Sequence, residues 1–210
     1  MTPEIVGRAV GEDPAGGAVS SRAGDPRPGS TAPTETIVLA GGCFWCTEAV
    51  FSEIAGVVRV LPGYSGGTVP HPTYEEVCTG RTGHAEVVEV AFDPHRVSLH
   101  DLLVVFFTTH DPTTVNRQGH DVGTQYRSAV FYRTPEQKSA VESVLRELES
   151  EGVWKRRVVT EVTPFAEFFP AEEYHRQYFR RHPEAAYCQM VIAPKLSKFR
   201  KEHASRLVSA

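Results

Sequence analysis

The stretch "TIVLAGGCFWCTEAVFSEIAG", Thr36 to Gly56, changes its period in the middle. Its first five residues are apolar, mostly β-branched, and are closed by the pair Gly41–Gly42, which reads as a buried strand. From Cys43 onward Phe44, Thr47, Val50, Phe51 and Ile54 follow the spacing of one helix face, and Gly56 stops that helix. A strand that turns through two glycines directly into a helix is the first half of a β-α unit, and a cysteine stands at the junction.

Outward from this unit, the residues before it, Met1 to about Glu35, contain "GEDPAGGAVSSRAGDPRPGSTAPTET". Gly, Pro, Ala and Ser dominate without periodicity, so the segment cannot bury enough apolar surface to offset its ordering entropy. Residues 1–35 are therefore expected to be a disordered extension, and 36–210 a single domain with a tail from about Pro183. After the first helix, "VVRVLPGYSGG" reads as a strand entering a Gly-rich loop. "HAEVVEVAFDP", His84 to Pro94, alternates most regularly of all. "SLHDLLVVFFTTH" is a buried helix with Ser98 as N-cap and Asp101 at the capping-box position. A polar loop, "DPTTVNRQGHDVGTQYRS", leads to the strand "AVFYR" and to a helix opened by Thr134-Pro135. "RRVVTEVTPF" reads as a further strand and "AEEYHRQYFRRH" as a final helix, whereas "YEEV" before Cys78 looks strand-like. The order β-α-β-β-α-β is that of the split βαβ unit. It predicts an α+β fold, a ferredoxin-like two-layer α/β sandwich with additional helices and a long coil-rich C-terminal segment.

Composition narrows the function classes. A net charge of −4 gives no electrostatic reason to expect nucleic acid or a membrane surface. No apolar run approaches the ~20 residues of a membrane span, and no secretory h-region opens the chain. The reading is a cytoplasmic monomer. Thiols are kept reduced in that compartment, so the four cysteines point to chemistry or metal rather than to structural crosslinks.

A Cys-x-x-Cys pair can be a metal clip, a redox couple, or one nucleophile with a neighbour. Zinc wants four ligands, and Cys43 and Cys46 form the only pair, with Cys78 and Cys188 alone; no metal site is expected. Cys43, at a helix N-terminus, is the nucleophile candidate, because unpaired N–H groups and the helix dipole favour a thiolate. Cys78 reads as inert. Phe44 and Trp45 flank the reactive sulfur; one belongs to the core, and together they suit a small apolar group such as a methyl. A thiolate that attacks an oxidised centre needs an acid to take up the oxygen. Alternation places Glu86 on the face of Val88, where burial would keep its carboxyl protonated; a solvated strand carboxylate like Glu89 is the alternative. Asp121 and Tyr126 in the long loop, and Tyr74, could be a loop cap and core rings, or together an oxygen-binding group.

These blocks, "GGCFWC", "GYSGG", "PTYEEVCTGRTGHAEVVEVAFDP", "HDPTTVNRQGHDVGTQYRSAVFY", "AEEYHRQYF" and "YCQMVIAPK", resemble in order and spacing the A-type peptide methionine sulfoxide reductases, from about Thr36 to about Lys201. The resemblance implies that Cys43 attacks the sulfoxide sulfur, that Phe44 and Trp45 line the methyl pocket, and that Glu86 protonates the sulfoxide oxygen. It implies that Tyr74 and Tyr126 hydrogen-bond that oxygen and that Asp121 organises the site. The substrate would be methionine S-sulfoxide, free or in proteins, with no cofactor beyond thioredoxin as external reductant. Where the commonest family form has Gly, this chain has Cys46, and where the loop more often reads QGND or QGPD it has QGHD. Two resolving cysteines are therefore open. Cys46 is favoured because its loop is short; Cys188 would have to swing in on a mobile tail, and a relay through both is a third course. His84 is expected to be a structural hydrogen-bonder, and His120 has no assigned role. The rival reading is a thioredoxin-like thiol-disulfide oxidoreductase working through Cys43 and Cys46.

Overall fold

The computed structural model describes residues 33–208; the extension expected over 1–35 lies, but for its last three residues, outside them. The first strand, β1 (Glu35–Gly41), runs directly into α1 (Phe44–Phe51). Next come β2 (Val57–Ser65), the short helix α2 (Tyr74–Cys78), β3 (Ala85–Phe92), α3 (Leu99–Thr109), a small hairpin of β4 (Arg117–Gln118) and β5 (Asp121–Val122), and β6 (Ser128–Tyr132). The chain continues through α4 (Pro135–Ser150), β7 (Glu161–Pro164), β8 (Phe168–Pro170), α5 (Tyr178–Arg181) and α6 (Ala193–Glu202).

The main sheet has the order β7-β6-β1-β3-β2-β8. Its inner four strands, β6-β1-β3-β2, pair antiparallel throughout, so the strands of each βα unit are interleaved as the split βαβ order requires. β7 lies parallel to β6, which needs a crossover, and α4 supplies it. β1 reads as a continuous apolar run because both sheet faces are covered. Ile37 and Leu39 face the helices and join the large core with Phe51, Val88, Val90, Leu102 and Phe106. Val38 and Ala40 face the other way, into a smaller layer with Ala85, Val87, Ala129 and Phe131 under Phe165 and Phe168. The same alternation puts Glu86 on the helix-side face with Val88, whereas Glu89 pairs with Arg59 and Arg133 at the surface.

Four local expectations differ from the structure. Tyr74–Cys78 is a helix, not a strand, because Thr73 and Glu76 form a reciprocal capping box: the Glu76 N–H donates to Thr73 Oγ1 (3.3 Å) and the Thr73 N–H to Glu76 Oε2 (2.8 Å). "AEEYHRQYFRRH" is broken at Gln177, whose φ of 51° is left-handed, into a single 3₁₀ turn over Glu173–His175 and α5. Of "RRVVTEVTPF" only Glu161–Pro164 pairs. The expected coil-rich tail instead holds a π-helical turn, Cys188–Ile192, leading straight into α6, which buries Leu196 and Phe199. The chain end is tied back to the end of α1, where Ala55 N–H donates to Arg206 O (2.8 Å) and Val208 N–H to Glu53 O (2.9 Å).

β8 can lie against β2 only because Gly63 has no side chain. A Cβ there would sit 2.5 Å from the Phe169 carbonyl oxygen and 2.5 Å from the Phe168 ring. Gly63→Ala is expected to cost about 1–3 kcal/mol through overpacking, lowering the melting temperature by several degrees. Thermal unfolding followed by circular dichroism checks this; an unchanged midpoint would show that β8 is not seated by close backbone approach.

Candidate active site

Gly42 makes the turn from β1 into α1 with φ +89°, and Gln118 of β4 packs where its Cβ would be. Cys43 is thereby placed at the N-cap of α1, 8% exposed. The first free amide of the helix, Phe44 N–H, donates to Glu86 Oε2 at 3.0 Å. Glu86 is 1% exposed, and burial pushes its carboxyl up to about 8, with Asp121 and Cys46 adding to the rise and the Phe44 amide opposing it. Glu86 is therefore mainly a carboxylic acid at neutral pH, as its place beside Val88 predicts.

Cys43 departs from the sequence expectation of a thiolate. Burial, the Cys46 thiol and the Glu86 charge push its thiol well above the ordinary cysteine value, while the Tyr187 hydroxyl pulls it down. The helix N-terminus does not decide the matter, because the amide that would have served the sulfur is bonded to Glu86. Cys46 is also buried, yet its thiol is lowered to about 7: the hydrogen bond from Cys43 outweighs burial, and the Lys195 charge and the Tyr187 hydroxyl assist. Of the pair, Cys46 is the thiol held toward its ionised form and Cys43 the one held toward its neutral form.

Around the sulfurs stands a wall of rings. Phe44 is core, its ring centroid 5.9 Å from Tyr64, 6.4 Å from Tyr74 and 4.9 Å from His175. Trp45 is half-buried; it stacks on Tyr178 (3.8 Å, 7° between planes) and meets Tyr187 edge-on. Tyr74 and Tyr126 are both partly buried, and burial together with the Glu86 charge holds each hydroxyl well above the phenol range. For Tyr126 the Cys43 charge contributes as well. Both remain donors at any pH of interest. Asp121 Oδ2 accepts the Tyr187 hydroxyl at 2.8 Å, and that hydroxyl is 3.9 Å from Cys46 Sγ.

Cys43, Cys46, Phe44, Trp45, Glu86, Tyr74, Tyr126 and Asp121 thus share one neighbourhood. Cys188 stands behind it, fully buried in its helical turn rather than on a loose tail, where the Cys46 charge reaches it and raises its thiol further. Cys78 is exposed. His84 is structural: its Nδ1 accepts from Gly67 N–H (3.0 Å), so Nε2–H donates to the Val69 carbonyl (2.8 Å).

A family model described as peptide methionine sulfoxide reductase matches residues 35–207. The chain belongs to that family. Among its relatives, a peptide methionine sulfoxide reductase MsrA of Thermus thermophilus is 58% identical over 175 residues, covering 83% of this chain and 98% of the relative. That of Deinococcus radiodurans is 51% identical, covering 82% and 84%. Of solved structures, methionine sulfoxide reductase A of Corynebacterium diphtheriae aligns with a TM-score of 0.66 at 41% identity, covering 75% of this chain and 78% of that one. Mxr1 of Saccharomyces cerevisiae in reduced form aligns with a TM-score of 0.68 at 35% identity, covering 76% and 91%.

Within this reductase framework, several residues at the site carry no signal that periodicity reads. Tyr187 bridges Asp121 and the cysteine pair, and its only mark in the sequence is its place beside Cys188. Glu172 accepts the Tyr64 hydroxyl and the Tyr74 N–H, each at 2.8 Å. Glu48, buried on α1, accepts the N–H of left-handed Gln177 at 2.9 Å, which seats Tyr178 on Trp45; burial pushes its carboxyl up to about 7.

The raised carboxyl of Glu86 has a stability consequence. Its folded value, about 8, lies above the unfolded one, near 4.5, so its contribution is most favourable below about 4.5 and is lost as pH rises through 8. Glu86→Gln keeps an acceptor for Phe44 N–H and cannot ionise. The variant should gain melting temperature over the native protein at pH 8.5 and not at pH 4.5. A difference independent of pH in calorimetry would refute the assignment.

Proposed function

We propose that the protein reduces the S-sulfoxide of methionine, free or within proteins, to methionine. The observation that carries the reading is the buried acid Glu86 held within one helical turn of a cysteine pair under an aromatic wall, in a chain of this family. The substrate's methyl group lies against Trp45 and Phe44, and its oxygen points to Glu86, Tyr74 and Tyr126. With Glu86 protonated its charge no longer opposes ionisation of Cys43, and the Tyr187 hydroxyl supports the thiolate. Cys43 sulfur attacks the sulfoxide sulfur, Glu86 gives its proton to the oxygen, and the oxygen passes to Cys43 as the thioether leaves. The two-electron reduction of the substrate is matched by oxidation of Cys43 to a sulfenic acid.

The second half-reaction returns the enzyme to its dithiol. Cys46, partly ionised at neutral pH, attacks the Cys43 sulfur as its thiolate, forming the disulfide; the sulfenic hydroxyl leaves as water with a proton taken from solvent. Cys188, in the field of Cys46, takes the disulfide onward in a Cys46–Cys188 exchange once its helical turn opens. Thioredoxin is the dithiol that reduces the result, and the protein acts as a cytoplasmic monomer, in the compartment where such a reductant is kept reduced. Among the described residues no helix is long and apolar enough to cross a membrane. The rival reading, disulfide exchange by Cys43 and Cys46 alone, leaves Glu86 and the aromatic wall without a task.

Cys43→Ser should abolish loss of methionine sulfoxide, whereas Cys46→Ser should still release one methionine per enzyme and accumulate a sulfenic acid trappable by a dione. Mass spectrometry after stoichiometric sulfoxide reports both, and shows which cysteine has paired with Cys43. Sulfoxide consumption by Cys43→Ser would end this reading in favour of another centre. The single-turnover rate should fall as pH rises through about 8, where Glu86 ionises. Glu86→Gln should lower it by about 10²–10⁴-fold, the usual worth of a positioned acid. A rate flat from pH 7 to 9.5 in rapid-quench measurements would remove Glu86 as the proton donor.

A further inference from the structure

The block "AEEYHRQYF" belongs to the resemblance but has no task in the reaction above. In the structure it lies against the aromatic wall, and His175 is the residue of the block that hydrogen-bonds Trp45. His175 is 1% exposed. Its Nδ1 accepts the indole N–H of Trp45 at 3.1 Å. Its ring lies 4.9 Å from that of Phe44 and 4.5 Å from that of Tyr74. A neutral imidazole that accepts through Nδ1 must carry its proton on Nε2. Buried Nε2 has no hydrogen-bond partner; the Glu172 carboxylate is 3.9 Å away and is already engaged by the Tyr64 hydroxyl. A buried donor left unpaired costs stability, so the ring is held in this orientation by its other nitrogen and by its packing.

We propose that His175 is a positioning residue for the reductase: its Nδ1 fixes the rotation of the Trp45 indole and so sets the affinity of the site for the sulfoxide. The inference rests on the function proposed above, in which Trp45 forms one wall of the methyl pocket. Besides the edge-on contact with Tyr187, two contacts of different kind bear on the rotation of Trp45. Stacking on Tyr178 leaves the indole free to slide in its own plane. The bond to His175 removes that freedom, because the indole N–H is the only polar donor of the ring. A pre-oriented wall lowers the ordering cost of binding, and substrate loses that advantage when the wall must be ordered on arrival. The effect belongs to binding, since the polar contacts of His175 run to Trp45 and toward Glu172, not to a sulfur.

The arrangement also requires a neutral ring. An imidazolium would set N–H against N–H at the Trp45 contact. The groups facing His175 are the carboxylates of Glu172 and Glu75, the hydroxyl-bearing rings of Tyr74 and Tyr174, and the indole; burial lowers the ring's proton affinity, and the two carboxylates only partly oppose this. The Trp45 contact therefore holds at neutral pH and is lost on the acid side of the ordinary histidine range.

The test compares His175→Phe, which keeps a ring but has no acceptor, with His175→Asn, whose side-chain oxygen takes the place of Nδ1. Each is made in the native background and with Trp45→Phe, which removes the donor. Methionine sulfoxide concentration is varied in single turnovers of the full chain. In the native background His175→Phe should raise the half-saturating concentration about five- to tenfold, the worth of one hydrogen bond, with the maximal rate within twofold; His175→Asn should recover most of the loss. In the Trp45→Phe background, His175→Phe should add nothing, since the two residues act through one contact. Equal losses in both His175 variants, or a loss that persists in the Trp45→Phe background, would make His175 a packing residue only and overturn the proposal. If the unaltered protein itself leaves methionine sulfoxide untouched, it is the proposed function that fails, an outcome separable from these.

Discussion

The hydrogen bond from Phe44 N–H to Glu86 ties the central strand of the sheet to the first turn of its first helix. Everything chemical in the site depends on it. It sets a carboxyl beside a cysteine pair without any solvent to ionise that carboxyl, and it uses up the amide that would otherwise have stabilised a sulfur anion. The result is a division of labour by protonation: a carboxyl held toward its acid form, a nucleophile held toward its thiol, and a second sulfur held toward its anion. Burial of β3 on both faces makes the arrangement possible, since a strand with one wet face would leave Glu86 ionised.

The remaining side of the site comes from the segment between β8 and the π-helical turn. This stretch is short of regular structure, yet it delivers Glu172, His175, Tyr178 and Tyr187 to the same few rings. Its left-handed break at Gln177 is held by Glu48 from α1. The nucleophile's own helix therefore anchors the wall that faces it, and the two sides of the pocket are not independent parts. The close approach of β8 to Gly63 is the other anchor of the same segment.

Much of this was legible in the residues. The change of period at Gly41–Gly42 placed β1 and α1, and the regular alternation after His84 placed β3 and put Glu86 and Glu89 on opposite faces. Ser98 and Thr134 marked helix starts that the structure has. What was missed has physical causes. The capping box of Thr73 and Glu76 was present in the letters, but five residues are too few for periodicity to tell a helix from a strand. "AEEYHRQYFRRH" is helical by composition, and the tertiary hydrogen bond from Gln177 N–H to Glu48 helps to offset the cost of the turn that breaks it. The expectation of a thiolate at Cys43 followed from position on a helix alone; it omitted burial, which no local pattern reports. Tyr187, His175 and Glu172 act across large sequence distances, so their roles exist only once the chain has folded.

The buried carboxyls have a consequence for the molecule as a whole. The formal charge of −4 counts every carboxylate as ionised. Glu86, at about 8, and Glu48, at about 7, withhold part of that charge in the folded state, while Cys46, at about 7, returns some of it. Folding at neutral pH is on balance a proton-uptake reaction for these groups. At neutral pH these groups together carry less negative charge in the folded chain than the formal count assigns to them.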